Sequence, residues 1–149
     1  YVKLSQNITL PLAYDRGKPL CYTHKKQVIH TDQAPKAIGP YSQAVRYGHF
    51  LFLSGQMGIN PANGNLVNGG FEAEARQVFS NIQAILESEK SGMDRILKTT
   101  VYLTNIEDFA LLNGIYGTFI PEPYPARTTV QVAALPKGAH IEVELIAEV

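Results

Sequence analysis

Arg127, with Glu142 and Glu144 downstream of it, has the side-chain type and setting in this 149-residue chain that best suit chemistry. All three fall in YPARTTVQVAALPKGAHIEVELIAEV, residues 124–149. Arg127 follows a Pro-Ala pair and heads a strand-like run with Thr128, Thr129, Val130, Gln131 and Val132. A second strand-like run, Ile141 to Val149, follows a Pro-Lys-Gly turn and carries Glu142 and Glu144. A guanidinium fixed beside a carboxylate can hold a small organic acid and do acid–base chemistry on it. The same pair can be a structural ion pair on a sheet edge, and such pairs outnumber catalytic ones.

The elements that must position these residues can be read from periodicity. Val28 to Thr31 reads as a short strand, and the Pro- and Gly-bearing stretch 32–40 as an irregular loop. Tyr41 to Tyr47 and His49 to Ser54 read as a hairpin around Gly48, with Gly55 breaking the second strand. Phe71, Ala75, Val78, Phe79, Ile82, Ile85 and Leu86 recur at three and four, one buried stripe of a helix. Glu72 and Glu74 are placed in its first turn, where negative charge favours the helix dipole, and Gly92 at its stop. Ile96 to Leu103 is a strand. Asn105 can cap a second helix with the stripe Phe109, Leu112, Ile115, Tyr116 and Phe119, stopped by three prolines from Pro121 on. Two strands end the chain.

This order predicts an α+β fold with helices on one face of the sheet. The other face must meet water or another subunit. In the last strand Ile141, Val143, Leu145, Ala147 and Val149 share one face, and Glu142, Glu144, Ile146 and Glu148 the other. Arg127, Thr129 and Gln131 share a face of theirs. A polar sheet face lined by small residues suits a wet, closed interface between copies.

Composition narrows the function. Lys plus Arg and Asp plus Glu each number 13, so formal charge is zero and the clustered cations that nucleic acid requires are missing. The chain is 45% hydrophobic, enough for one core, with no apolar run long enough to span a membrane. The single cysteine, Cys21, excludes an intramolecular disulfide and fits a reducing compartment. His24, His30, His49 and His140 have no metal-site spacing. Asn7-Ile8-Thr9 fits the glycosylation triplet with nothing else pointing to secretion.

Five motifs in order carry a family resemblance. They are Ala37-Ile38-Gly39-Pro40-Tyr41-Ser42-Gln43-Ala44, Leu53-Ser54-Gly55-Gln56, Lys98-Thr99-Thr100-Val101, Asp108-Phe109 with Asn113, and PARTTVQVAALPKGAHIEVELIA. Together they resemble the RidA/YjgF family of imine deaminases, whose members also carry the labels endoribonuclease L-PSP and translation inhibitor. The resemblance implies a RidA/YjgF-type domain over 27–149, with a mixed sheet, two helices on one face (chorismate-mutase-like), and a homotrimer with sheets inside and clefts between subunits. Residues 1–26 have no counterpart in it. The Tyr1 start points to a processed or truncated chain, and the segment reads as an extension of unknown role or a remnant of an organelle-targeting leader. A cytoplasmic location is otherwise expected.

The activity implied is hydrolysis of 2-imino acids, or their enamine tautomers, to 2-oxoacids and ammonia. No metal or other cofactor, membrane or nucleic acid is expected to take part. Arg127 matches the family's carboxylate-binding arginine, Glu142 its site glutamate and Tyr41 its site tyrosine, with Glu144 ranked second among carboxylates. Ser54, Gly55, Thr129 and Asn113 match positions lining the cleft. Thr129 stands where many members carry cysteine, which rules out thiol chemistry there but keeps the backbone carbonyl. Two other functions compete with the enzyme: a ribonuclease or translation inhibitor, and a ligand-binding or chaperone-like trimer without turnover. Neutral charge weighs against the first, and the presence of both Arg127 and Glu142 against the second.

Overall fold

The computed structural model describes residues 25–149. Cys21, the Asn7 triplet and nearly all of the segment 1–26 lie outside the described residues. Eight elements follow in order: β1 (Gln27–Ile29), β2 (Ala44–Tyr47), β3 (Phe50–Met57), α1 (Gly70–Ser88), β4 (Ile96–Leu103), α2 (Phe109–Phe119), β5 (Ala126–Gln131) and β6 (Ile141–Glu148). The strands form one mixed sheet in the order β1-β2-β3-β6-β4-β5. Only β4 and β5 pair in parallel, and α2 is the crossover between them.

The α1 stripe is buried as its spacing predicts, with Val78, Phe79, Ile82, Ile85 and Leu86 fully enclosed. From α2 come Leu112, Ile115 and Tyr116, and from the sheet Leu51, Val101, Leu103, Ile141, Val143 and Ala147. Both helices therefore cover one face. Phe79 stacks on Phe119 and meets Tyr116 edge-on, joining the two helices. Among the described residues no helix is long and apolar enough to cross a membrane.

Several expectations need correction. β2 begins at Ala44, not Tyr41, because residues 31–43 are held by side chains rather than by a ladder. Gly55 does not end β3, which runs on to Met57 through a register shift between Leu53 and Gln56 against β6. Helix α1 ends at Ser88, and the left-handed position just beyond is Lys90 at φ 59°, not Gly92, which is extended. Asn105 caps a short 3-10 turn, Ile106–Asp108, that leads into α2, by accepting from Glu107 N–H. Glu74 is no dipole residue: it is buried, accepts from the His140 backbone N–H at 2.8 Å and pairs with His140 Nδ1 at 2.7 Å. Phe109, expected in the buried stripe, is exposed.

The open face of the sheet is not uniformly polar with small residues. Register carries a row Val28, Val45, Phe52, Ile146, Lys98 and Ala126 across all six strands. Val28 and Phe52 stay exposed, at 64% and 45%, which makes the β1–β3 side apolar. The β6–β4–β5 side is polar, with Glu144, Thr100 and Thr128 in one row and Glu142, Tyr102 and Val130 in the next.

Candidate active site

Residues 31–43 depend on one buried side chain, Gln43. Its Oε1 accepts from Thr31 N–H at 2.8 Å. Its Nε2 faces the carbonyls of Thr31, Ala34 and Pro35 at 3.0, 3.2 and 2.8 Å. An amide offers both donor and acceptor, so it can close an irregular loop that has no ladder of its own. The loop ends on Tyr41, half exposed, whose hydroxyl accepts from Ile38 N–H at 3.4 Å.

Tyr41, Ile38, Pro35, Gly55, Met57 and Ile59 line a cleft of about 320 Å3, with Lys36 and Lys137 among its polar groups. Lys137 holds a left-handed backbone at φ 58° and donates to Gly64 O at 2.8 Å. Gly55 is both a wall of this cleft and the neighbour of Glu142. A Cβ at position 55 would overlap the Glu142 carboxylate. The register shift at Ser54–Gly55 thus lets a bare backbone close on that carboxyl. Ser54 itself is committed to the fold: its Oγ donates to Ser42 O at 2.7 Å, and its N–H to Gln43 O at 3.0 Å.

Glu142 is half-buried, and its carboxyl is pushed above the ordinary range, first by desolvation and then by the negative charge of Glu144. A carboxyl biased toward holding a proton suits one that must accept and return it.

Arg127 lies elsewhere. It pairs in register with Thr99, which is buried and bonds the Tyr116 hydroxyl of α2 at 2.9 Å. Glu142 pairs with Tyr102, three residues along β4 from Thr99 and so on the opposite face. The expected juxtaposition is therefore not made within one chain, and the structural ion pair between Arg127 and Glu142 is not made either. Arg127 is oriented from the helix side. Its Nη2 donates to Asn113 Oδ1 at 2.8 Å, and its guanidinium carbon stands 4.7 Å from the Tyr116 ring centre and 5.4 Å from that of Phe109. Desolvation raises the Tyr116 pKa, against the lowering influence first of its Thr99 hydrogen bond and then of the Arg127 charge.

Arg127, Asn113, Tyr116, Gly117, Tyr124 and Pro125 line a second, wider cleft. Thr129 is two residues along the same face, its hydroxyl buried without a partner among the described residues. The sequence-derived site residues thus form two groups: Tyr41 and Gly55 at one cleft with Glu142 against Gly55, and Arg127 and Asn113 at the other. Gln43 and Tyr116 were missed as positioning residues. Gln43 lies inside the Ala37–Ala44 motif, and the spacing of Tyr116 marks it only as part of the α2 core stripe.

Comparison with known proteins places the chain in a family. The family model described as Endoribonuclease L-PSP matches residues 31–149. The human protein named 2-iminobutanoate/2-iminopropanoate deaminase is 46% identical over 122 residues, covering 82% of this chain and 89% of its own. The crystal structure of RidA from an Antarctic Psychrobacter superposes with a TM-score of 0.80 at 48% identity, covering 83% of this chain and 99% of that one. That of Escherichia coli TdcF with bound serine gives 0.77 at 38%, covering 83% and 98%. This chain is a member of the RidA/YjgF family, the one described as Endoribonuclease L-PSP.

Proposed function

We propose that the protein hydrolyses 2-imino acids, or their enamine tautomers, to 2-oxoacids and ammonia, in a cleft shared between two copies of a homotrimer. The observation that carries this reading is the division of the site. Arg127, held by Asn113, and Glu142, with its raised pKa, lie on opposite faces of one sheet. A ring of copies brings one subunit's Arg127 cleft against the next subunit's Tyr41, Gly55 and Glu142, and closed symmetry repeats the match. The names of the deaminase relatives support the reaction, and the serine bound by TdcF, an amino acid with a free carboxylate, supports the class of ligand.

Arg127 grips the substrate carboxylate through two parallel N–H bonds, with Asn113 and Tyr116 fixing the plane of the fork. Glu142 takes a proton from water as its oxygen bonds to the imine carbon and the C=N electron pair moves to nitrogen. The proton then goes to that nitrogen, giving a carbinolamine; Glu142 next takes the hydroxyl proton and passes it to the amine, and ammonia leaves as the C–N bond breaks and the carbonyl forms. Tyr41 donates to the substrate or the water, and Gly55 and the Thr129 backbone line the pocket. The test couples an amino-acid oxidase, which generates the imine, to semicarbazide trapping. Added protein should suppress semicarbazone formation while 2-oxoacid accumulates. Unchanged trapping at micromolar protein would overturn the reading.

A further inference from the structure

Tyr102 is unused by the reaction above, yet it sits opposite Glu142 on the neighbouring strand. Its hydroxyl donates to Glu144 Oε1 at 3.1 Å, one strand repeat along the same face. Within β6, Glu144 is free to swing toward solvent; the bond from β4 ties it down beside Glu142. We propose that Tyr102 and Glu144 form a positioning pair that keeps a fixed negative charge behind Glu142 and so sets the pH at which Glu142 exchanges its proton. This rests on Glu142 being the proton-handling group.

The surroundings leave Glu144 as the charge that matters. From β3, Glu142 meets Met57 and Gly55, and the β5 residues on this face, Thr128 and Val130, are uncharged. On β4, Lys98 lies two rows away beside Ile146; it shares a hollow with Glu144 but makes no ion pair with it among the described residues. On β6, Glu148 is at the far end of the strand. Lys36, Lys137 and Tyr41 lie across Gly55 in the cleft, and Arg127 is on the other face of the sheet. The Tyr102 phenol is pushed above its ordinary value, by desolvation first and then by its bond to Glu144 and the two carboxylates, so it stays a donor throughout the working range.

The test has a readout independent of activity. Side-chain carboxyl carbon resonances of 13C-glutamate-labelled protein are titrated, with Glu142 assigned by its loss in Glu142→Gln. Glu144→Gln should move the Glu142 midpoint to lower pH. Tyr102→Phe should move it in the same direction by less, and adding Tyr102→Phe to Glu144→Gln should change nothing further. In the deamination assay, Glu144→Gln should raise kcat/KM on the acid limb roughly two- to fivefold relative to the plateau, the size of like-charge repulsion across one strand repeat near water. A Glu142 midpoint that stays put in folded Glu144→Gln, or shifts upward, overturns the proposal. Additive shifts in the double variant overturn the role of Tyr102. A midpoint that moves while Glu142→Gln keeps full deaminase activity overturns the assignment of Glu142 instead.

Discussion

Gly55→Ala puts a single methyl group against the Glu142 carboxyl. The backbone at Gly55 is not left-handed, so alanine itself brings no conformational strain, and the effect runs through the side chain it meets. The added Cβ stands 2.7 Å from Cδ and 2.9 Å from Cγ of Glu142, against the 3.4 Å at which ordinary contact begins. The carboxyl carbon must therefore retreat by about 0.7 Å, and the overlapped oxygen by more. A reacting group displaced on the scale of 1 Å loses about 10²-fold in rate, or about 2.7 kcal/mol of barrier. Since the obstacle is the far end of a flexible side chain, stability should fall only by about 1 kcal/mol, the low end for overpacking. The assay is initial rate from oxidase-generated imine, with urea unfolding alongside. Gly114→Ala, in α2 with no atom within 4 Å of the new Cβ, is the control. It should leave the rate alone and raise stability by about 0.5–1 kcal/mol, as alanine does for glycine in a helix. Wild-type kcat in folded Gly55→Ala would refute the reasoning, because the carboxyl would then be dispensable where it stands.

Arg127→Ala should cost on the order of 2–4 kcal/mol in transition-state binding, roughly 30- to 1,000-fold in kcat/KM, with Arg127→Lys recovering only part because an ammonium cannot bond as a fork; a fully active alanine variant would make the residue structural. Gln43→Ala removes every bond that Gln43 gives the loop and should cost about 2–4 kcal/mol in urea unfolding, and a loss below about 1 kcal/mol would show that the loop is held by something else. Glu142 has a folded pKa above its unfolded value, so its favourable contribution is complete below the unfolded pKa and is lost as pH rises through the folded one. Glu142→Gln should therefore melt higher than wild type at neutral pH, with the gap closing near about pH 4, and a lower melting temperature at neutral pH would contradict the raised pKa.

The sequence showed most where one periodicity ran long enough to be unambiguous. The stripe of α1, strand β4 and the alternation of β6 all lie where spacing puts them. It was silent where tertiary context decides. Glu74 reads as a first-turn acid until the start of β6 passes over it and turns it into a buried acceptor for His140. Gly55 reads as a breaker because glycine punctuates loops far more often than it admits a carboxylate into a bulge. Parity within a strand groups residues by face but does not say which face of β5 corresponds to which face of β6. That needs the register through β4, and register is what separates Arg127 from Glu142. The motifs supplied the candidates; they could not show that one chain keeps Arg127 and Glu142 apart.

That separation leads to a last prediction that single-site kinetics cannot reach. If each site takes Arg127 from one subunit and Glu142 from the next, neither Arg127→Ala nor Glu142→Gln trimers contain an intact site. Mixed trimers do. In a ring assembled at random from equal amounts of the two variants, an interface is whole when a Glu142→Gln subunit supplies the arginine and an Arg127→Ala subunit supplies the carboxylate, about a quarter of all interfaces. Co-refolding the two inactive proteins should therefore restore about a quarter of wild-type activity, and mixing without subunit exchange should restore none. A site contained in one chain gives no activity in either case, since every chain then lacks one partner. The exposed apolar row through Val28 and Phe52 supplies a reason for copies to associate on this face, and the polar rows holding Glu142 and Glu144 lie beside it on the same sheet. Light scattering of the refolded mixture must show about three times 16.4 kDa for the activity to be read this way, and a clean monomer would remove both the trimer and the shared site.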